Sequence, residues 1–274
     1  MPKVLTRSTV AHSGSADMIL GGHIIKFDDD MHFGASVMEY MCMSACRGIG
    51  MNVAEVELSP ACDTLLIKRF DIMDNGRYMG FEDACALSGY PPSRKYMGSI
   101  EDVFDVARSF FSDVRLSSAI SDITRMVLVN DILRNGDAHM KNYAVTYDNP
   151  DDPYWSPMYD VLSTSLFYPD ESPALAWDVE HEVDRVWLDD HRAMEVLCRL
   201  TERSEDSLIS EYRELAVGLR REINRCVESL ESVHMSHDMR RFVNGLSEYF
   251  DGLFSHNSLT SGISAFSSHS GPCT

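Results

Sequence analysis

A helix, a polar loop and a strand follow one another between residues 123 and 147, and this succession constrains the fold of the 274-residue chain most strongly. Residues 123–133 are apolar at helical spacing, and residues 143–147 alternate as a β-strand does. The loop between them carries Asp137, His139 and Asn142 within six residues. A loop held between two buried elements is where a rigid scaffold usually presents reactive side chains.

The polar side chains of this loop, together with Asp160 further along the chain, are those that phosphoryl transfer requires. One aspartate accepts the proton of the substrate hydroxyl, and an asparagine and a second aspartate hold magnesium against the phosphates of ATP. Asp137 and Asn142 have the separation found in protein kinases, although the chain has no His-Arg-Asp and no Asp-Phe-Gly motif. Because each motif alone is also typical of a structural turn, this hypothesis requires an ATP-binding region upstream.

Such a region is predicted in the first 71 residues of the chain. Residues 22–27 indicate a short strand that carries Lys26, and a strand lysine at the phosphates is the kinase arrangement. Glu39 stands near the start of an apolar helix, where it either pairs with Lys26 or is favoured by its place near a helix N-terminus. Residues 64–71 indicate a strand that would leave the small lobe as a hinge and meet adenine through backbone groups.

Taken in order, these motifs resemble the HipA-type serine/threonine kinases, which are the toxin kinases of bacterial HipBA-like toxin–antitoxin pairs. The most specific part of the resemblance is Asp-x-His-x-Lys-Asn at residues 137–142, followed by Tyr-Asp at 159–160. The weaker matches are Ile-Ile-Lys at 24–26, Glu-Tyr at 39–40, Lys-Arg-Phe-Asp at 68–71, Glu-Asp at 82–83 and Lys-Tyr at 95–96.

The resemblance implies roles for several of the matched residues. Asp137 would be the general base, and His139 would brace the catalytic loop. Asn142 and Asp160 would hold magnesium, and Lys26 would meet the phosphates of ATP. The nucleotide-binding residues would be Lys26, Glu39, Lys68, Phe70 and Tyr159, with the backbone of residues 68–70 receiving adenine and Phe70 lining its pocket.

The chain departs from the family at the phosphate loop, which corresponds to residues 8–15. The serine that family members autophosphorylate aligns with Thr9, and Ser8 stands next to it. The glycine of this loop is replaced by His12 and its lysine by Ala16. The N-terminal subdomain of full-length members has no counterpart here, and split systems of the family carry it as a separate small protein. We therefore expect a minimal kinase, the kinase part of a split system, or a decayed copy.

The implied fold is α+β and resembles the bilobal protein kinases. A small β-containing N-lobe would comprise residues 1–72, a larger and mostly helical C-lobe residues 73–254, and a flexible Ser-, Gly- and His-rich tail residues 255–274. Within the C-lobe, Ser99 and Asp102 predict a capped helix start, with an apolar face running from Val103 to Val114. Ser204 opens a long helix with an apolar stripe at three- and four-residue spacing.

Composition restricts the partners of the chain. Its net charge of −19 argues against direct nucleic-acid binding, which needs a basic surface. Seven cysteines without a Cys-x-x-Cys motif argue against a disulfide framework or a structural zinc site. No stretch is long and apolar enough to span a membrane, and the N-terminus lacks the apolar core of a signal peptide. We expect a cytoplasmic protein without direct nucleic-acid or membrane contacts.

The sequence thus predicts an ATP- and magnesium-dependent serine/threonine protein kinase of the HipA-like toxin type. A catalytically weak pseudokinase that binds within a toxin–antitoxin system is an alternative, favoured by the altered phosphate loop. A small-molecule phosphotransferase is a further alternative, but its usual His-x-Asp order is absent because His139 follows Asp137. The resemblance implies a protein substrate, such as an aminoacyl-tRNA synthetase or another translation factor, and an antitoxin or a separate N-subdomain protein as partner.

Overall fold

Five strands form an antiparallel sheet in the N-terminal part of the described chain. The computed structural model describes residues 9–12, 15–20, 22–73, 75–178, 183–256 and 259–260. The sheet has the order β1-β2-β3-β5-β4, with β1 (Thr9–His12), β2 (Ser15–Leu20), β3 (His23–Phe27), β4 (Val56–Leu58) and β5 (Thr64–Lys68). On β5, the buried residues Leu65 and Ile67 alternate with more exposed neighbours, and Lys68 is exposed. Such alternation is typical of a strand with one face covered. The register sets Lys26 opposite Leu65, on the central strand.

The first long helix, α1 (Ala35–Gly48), packs against β4 and β5 through fully buried side chains such as Met38 and Met41. The carboxylate of Asp28 accepts hydrogen bonds from the backbone nitrogens of Gly34 (2.6 Å) and Ser36 (2.8 Å), and so satisfies N–H groups that a helix start leaves unpaired. Gly34 has φ +83°, and a side chain there would overlap the ring of Phe242. These contacts fix the start of α1, one turn before Glu39.

Helices dominate the rest of the described chain. They are α2 (Ala84–Leu87), α3 (Ile100–Phe110), α4 (Asp113–Ile132), α5 (His191–Thr201), α6 (Glu205–Glu231) and α7 (His237–His256). Ser204 is the N-cap of α6, as its sequence position predicts, and its hydroxyl accepts from the backbone nitrogen of Ser207 at 3.3 Å. The predicted apolar stripe of α6 is a buried core face, formed by Leu208, Tyr212, Leu215, Leu219, Ile223 and Val227.

The start of α3 follows the sequence prediction, whereas its end does not. The Ser99 hydroxyl accepts from the backbone nitrogen of Asp102 (3.1 Å), and the Asp102 carboxylate accepts from that of Ser99 (2.8 Å). The predicted apolar face is wrong at Phe110 and Val114 although Phe111 is buried, because α3 ends at Phe110 and a new helix begins at Asp113. Val114 is therefore 84% exposed.

We expect Ser99→Ala to lower the free energy of unfolding by about 1 kcal/mol, since the change removes one half of a capping box. Chemical denaturation with a two-state fit measures the difference. Ser118→Ala is the matched control, because Ser118 is an exposed residue inside α4 and caps nothing. Equal stability of both variants would contradict the capping role of Ser99.

A small antiparallel sheet joins segments that are far apart in the chain. It consists of β6 (Gly80–Asp83), β7 (Ala144–Tyr147) and β8 (Tyr154–Trp155), in the order β6-β7-β8. A parallel bridge between Val53 and Met158 adds a second connection, in which the backbone nitrogen of Ala54 donates to the Met158 carbonyl at 2.9 Å. The segment that precedes Asp160 is therefore anchored next to the five-stranded sheet.

The predicted α+β class, with a small sheet-containing part and a larger helical part, is confirmed. The lobe boundaries at residues 72 and 254 stay predictions. Ser255 lies inside α7, and Thr260 is buried with its hydroxyl donating to the Phe254 carbonyl at 2.7 Å, so the predicted tail does not begin at residue 255. Within the described residues, no helix has both the length and the apolarity that a membrane span demands.

Candidate active site

Lys26, on the central strand, brings two carboxylates from distant parts of the chain together. Its ammonium donates to both oxygens of Glu39, at 2.9 and 3.0 Å, and also contacts the Asp160 carboxylate. Glu39 is only 4% exposed, and a buried carboxylate needs a cationic partner. Of the two interpretations of Glu39 that the sequence allows, the structure has the ion pair with Lys26.

Asp160 is held in a backbone conformation that is unusual for an aspartate. Its φ of +60° lies in the left-handed region, where non-glycine residues are uncommon and often serve a function. Burial raises the pKa of Asp160, but the Lys26 ammonium outweighs it and lowers the pKa below the usual range. The carboxylate is therefore ionised at neutral pH. Its side chain is 42% exposed, so a ligand from solvent can reach it.

Asn142 lies beside Asp160 at the end of a 3₁₀ turn, Met140–Asn142. Its side-chain nitrogen donates to Asp160 Oδ2 at 3.3 Å, and its Oδ1 accepts from the backbone nitrogen of His139 at 2.9 Å. An amide oxygen has two lone pairs, so one remains to coordinate a cation. Carboxylate and amide oxygens are the ligands that magnesium prefers.

The two oxygen ligands suit magnesium bound together with nucleotide phosphates. Magnesium is typically held by one or two protein carboxylates, with phosphates and water completing the octahedron. In the part of the chain that the structure describes, no group of three or more His, Cys, Asp and Glu side chains is arranged to hold a metal ion. Asp160 and Asn142 could thus supply two oxygen ligands to a magnesium ion, and this role stays a prediction.

Asp137 sits on a rigid loop. Its backbone nitrogen donates to Asn135 Oδ1 at 3.2 Å, and Asn135 is 2% exposed. The neighbouring Gly136 nitrogen donates to the Thr164 hydroxyl at 2.6 Å, and a side chain at Gly136 would overlap Glu171. The carboxylate Oδ1 accepts from the Tyr96 hydroxyl at 2.5 Å. A half-buried carboxylate on such a loop has a fixed position from which to accept a proton.

His139 braces this loop through its backbone. Its nitrogen donates to the carbonyl of Asp137 at 2.8 Å, and its carbonyl accepts from the nitrogen of Asn142 at 2.9 Å. The ring is 6% exposed, and burial lowers its pKa although the charge of Asp137 opposes this. Nδ1 of the ring is buried and has no hydrogen-bond partner among the described residues.

Three aromatic rings form a candidate adenine pocket at the small sheet. The Phe70 centroid lies 5.5 Å from that of Tyr159 and 5.9 Å from that of Phe81, and Phe81 and Tyr159 are 6.1 Å apart. The Tyr159 hydroxyl donates to the carbonyl of Lys141 at 2.6 Å. Burial, followed by the charges of Asp160 and Asp83, raises the pKa of this phenol. Tyr159 therefore links the aromatic pocket to the catalytic loop.

Two of the three backbone N–H groups of the predicted hinge, residues 68–70, already donate hydrogen bonds within the protein. The Lys68 nitrogen donates to the Glu55 carbonyl and the Arg69 nitrogen to the Gly22 carbonyl, both at 2.8 Å. The Lys68 ammonium lies 3.3 Å from Glu55 on the surface, away from the aromatic pocket. Among the described residues, the N–H of Phe70 has no hydrogen-bond partner. The backbone N–H groups of Lys68 and Arg69 are thus already hydrogen-bonded, and the binding of adenine by the backbone of residues 68–70 stays a prediction.

The two predicted phosphoacceptors, Ser8 and Thr9, are at the edge of what the structure describes. Ser8 lies outside the described residues, and the structure describes only the backbone of Thr9, which pairs with Met18. Their phosphorylation stays a prediction. Phe81 and the contact of Tyr96 with Asp137 were not found from the sequence, although Lys95-Tyr96 matched a family motif. Nothing in local spacing links two residues 41 positions apart.

The model of the HipA-like C-terminal domain family matches residues 2–235. Y4mE of Sinorhizobium fredii (strain NBRC 101917 / NGR234), a protein to which kinase activity is ascribed, is 29% identical over 220 residues. The alignment covers 76% of this chain and 48% of Y4mE, so the chain spans about half the length of that relative.

Two solved structures share the fold. A chain of the complex of HipA, HipB and operator DNA from the Shewanella oneidensis MR-1 toxin–antitoxin system superposes with a TM-score of 0.71 at 19% identity, covering 92% of this chain and 66% of that one. The proinflammatory kinase CtkA of Helicobacter pylori has a TM-score of 0.57 at 12% identity, covering 90% of this chain and 91% of that one. At such identities the likeness shows the fold alone.

Proposed function

Because the chain belongs to the HipA-like C-terminal domain family, we propose that it transfers the γ-phosphate of ATP, with magnesium, to a serine or threonine hydroxyl of a protein. The observation that carries this proposal is the convergence of Lys26, Glu39, Asn142 and Asp160 on one site. These are the side chains that hold phosphates and magnesium in kinases. The kinase activity ascribed to Y4mE and the fold shared with CtkA support it.

Different residues of the chain would bind the phosphates, the magnesium ion and the adenine of ATP. Lys26 would hold the phosphates, and Glu39 would keep the lysine charged and in place. Asp160 and Asn142 would hold magnesium, which neutralises charge on the phosphates when it is bound. The adenine would stack against the outer face of the aromatic cluster and accept a hydrogen bond from the Phe70 N–H.

Proton transfer would fall to Asp137. As the substrate oxygen bonds to phosphorus, its hydroxyl proton would pass to the Asp137 carboxylate, while the bond between the γ-phosphorus and the bridging oxygen of ADP breaks. The loop around Asp137 needs little rearrangement during proton transfer, because its backbone hydrogen bonds are already formed.

The experiment that tests the proposal combines ATP binding with phosphate transfer. Calorimetric titration of ATP, with and without magnesium, should give tighter binding when magnesium is present. Transfer from γ-labelled ATP to myelin basic protein, a basic probe suited to a chain of net charge −19, should place phosphate on serine or threonine. Magnesium-dependent binding without transfer would favour the binding-module alternative, and phosphate only on added small alcohols would favour a small-molecule phosphotransferase.

Phe81→Ala is expected to weaken ATP binding about tenfold, because stacking of a base on an aromatic side chain is worth about 1–3 kcal/mol. Binding of magnesium tripolyphosphate, which has no base, should change little. Phe110→Ala is the matched control, since Phe110 is 45% exposed at the end of α3, far along the chain from the aromatic pocket. Equal weakening of ATP and tripolyphosphate would place Phe81 outside the adenine site.

We also propose protein partners and a substrate class for this chain. HipA of Shewanella oneidensis was solved together with HipB and operator DNA. By analogy, this chain would work in the cytoplasm with an antitoxin protein or a separate N-subdomain protein, and any DNA contact would pass through that partner. Its substrate would be a protein such as an aminoacyl-tRNA synthetase or another translation factor, as the family resemblance implies.

A further inference from the structure

The hydroxyl of Tyr96 donates a hydrogen bond to Asp137 Oδ1 at 2.5 Å. This length is at the short end of the range for hydroxyl-to-carboxylate bonds, which are roughly twice as strong as bonds between neutral groups. Tyr96 lies in the loop before α3, 41 residues from Asp137. The tyrosine therefore reaches the proposed base from a separate element of the fold.

The position of Tyr96 is fixed from several sides. The Arg185 guanidinium donates to its backbone carbonyl, and the Lys95 ammonium lies 4.7 Å from the centroid of its ring. The ring meets His139 edge to face, with 5.2 Å between centroids. The Met140 nitrogen donates to the Lys95 carbonyl at 3.2 Å, so the whole segment is attached to the catalytic loop. These contacts hold the Tyr96 hydroxyl next to Asp137.

A general base must present one oxygen to the proton that it accepts, within hydrogen-bond reach. The phenol takes one lone pair of Asp137 Oδ1, whereas Oδ2 has no hydrogen-bond partner among the described residues, so Oδ2 is the more accessible oxygen for a substrate. We propose that Tyr96 is a positioning residue that fixes the Asp137 carboxylate so that Oδ2 faces the hydroxyl to be phosphorylated. This inference rests on the proposed kinase function and adds a residue to which no role has been assigned.

The chemistry of the phenol supports a role as donor. Burial, and then the hydrogen bond and charge of Asp137, raise the pKa of Tyr96 well above its usual value. Tyr96 therefore keeps its proton at neutral pH and neither takes nor gives a proton during the reaction. In the proposed step the substrate proton goes to Oδ2, and the Tyr96 O–H bond stays intact.

An opposite role for Tyr96 predicts an opposite result. If the phenol occupied the place of the substrate hydroxyl, it would block the base, and its removal would speed the reaction. If it were itself the acceptor, phosphate would appear on Tyr96. Both outcomes are measurable and both would overturn the positioning role.

The experiment compares wild type, Tyr96→Phe and Tyr154→Phe in transfer of phosphate to myelin basic protein. Tyr96→Phe keeps the ring contacts and removes only the donor, so kcat should fall about 10- to 100-fold, with the KM for ATP changed less than about threefold. Tyr154→Phe is the matched control. It removes a tyrosine hydroxyl that donates to Asp152 at 3.1 Å on the surface, and its kcat should stay that of wild type.

A second measurement needs no activity. With ¹³Cζ-labelled tyrosine, the resonance missing from Tyr96→Phe identifies Tyr96, and its shift should move in Asp137→Asn while that of Tyr154 does not. An inactive wild type would overturn the proposed function, and the Tyr96 shift would then still decide whether the phenol holds Asp137. An active wild type with an equally fast or faster Tyr96→Phe variant, or an unmoved Tyr96 resonance, would overturn the inference alone.

Discussion

Replacing Asp137 by asparagine is expected to slow phosphate transfer about 10²- to 10⁴-fold, the usual loss when a general base is removed. Asparagine keeps the shape of the side chain and still offers an oxygen to the Tyr96 hydroxyl, which lies 2.5 Å from the native carboxylate. It cannot accept a proton from the substrate. ATP affinity should change far less than the rate, because Lys26, Asp160 and the aromatic pocket are untouched.

Asp152→Asn is the matched control for this prediction. Asp152 also accepts a hydrogen bond from a tyrosine, Tyr154 at 3.1 Å, but its side chain is 47% exposed on a surface loop. Its replacement should leave the transfer rate unchanged. Single-turnover transfer of labelled phosphate to myelin basic protein measures all three proteins. An Asp137→Asn variant as fast as wild type would show that another group accepts the proton.

Replacing Asp160 by asparagine is expected to remove the effect of magnesium on ATP binding and to slow transfer about 10²- to 10³-fold. The change removes the charge that magnesium requires, and it leaves Asn142 as the remaining proposed ligand. Calorimetric titration of ATP at several magnesium concentrations measures the first effect. The second is measured in the same transfer assay as for Asp137.

Glu39→Gln provides the contrast, because Glu39 and Asp160 both contact Lys26 but only Asp160 also contacts Asn142. Loss of the Glu39 charge should weaken ATP binding through Lys26, yet added magnesium should still tighten that binding. If Asp160→Asn and Glu39→Gln responded to magnesium in the same way, Asp160 would act only as a partner of Lys26. The assignment of the metal site would then be wrong.

Features that depend on short-range spacing could be predicted from the sequence. The catalytic loop, with Asp137 and Asn142, was placed between a helix and a strand because helical and alternating periodicities are local properties. The starts of α3 and α6 were found for the same reason, since the capping serines Ser99 and Ser204 act on the next three residues. The pairing of Glu39 with Lys26 remained one of two options until the register of β3 and the place of α1 were known.

Contacts between groups that are distant in the chain became visible only in the folded structure. Lys26 contacts Asp160 across 134 residues, and Tyr96 contacts Asp137 across 41. Phe81 joins the aromatic pocket only because β6 pairs with β7, and the Lys68 ammonium lies 3.3 Å from Glu55 because β5 pairs with β4. Such contacts follow from chain connectivity and packing around a common core. Residue spacing carries no record of them, because side chains far apart in sequence meet only after the chain has folded.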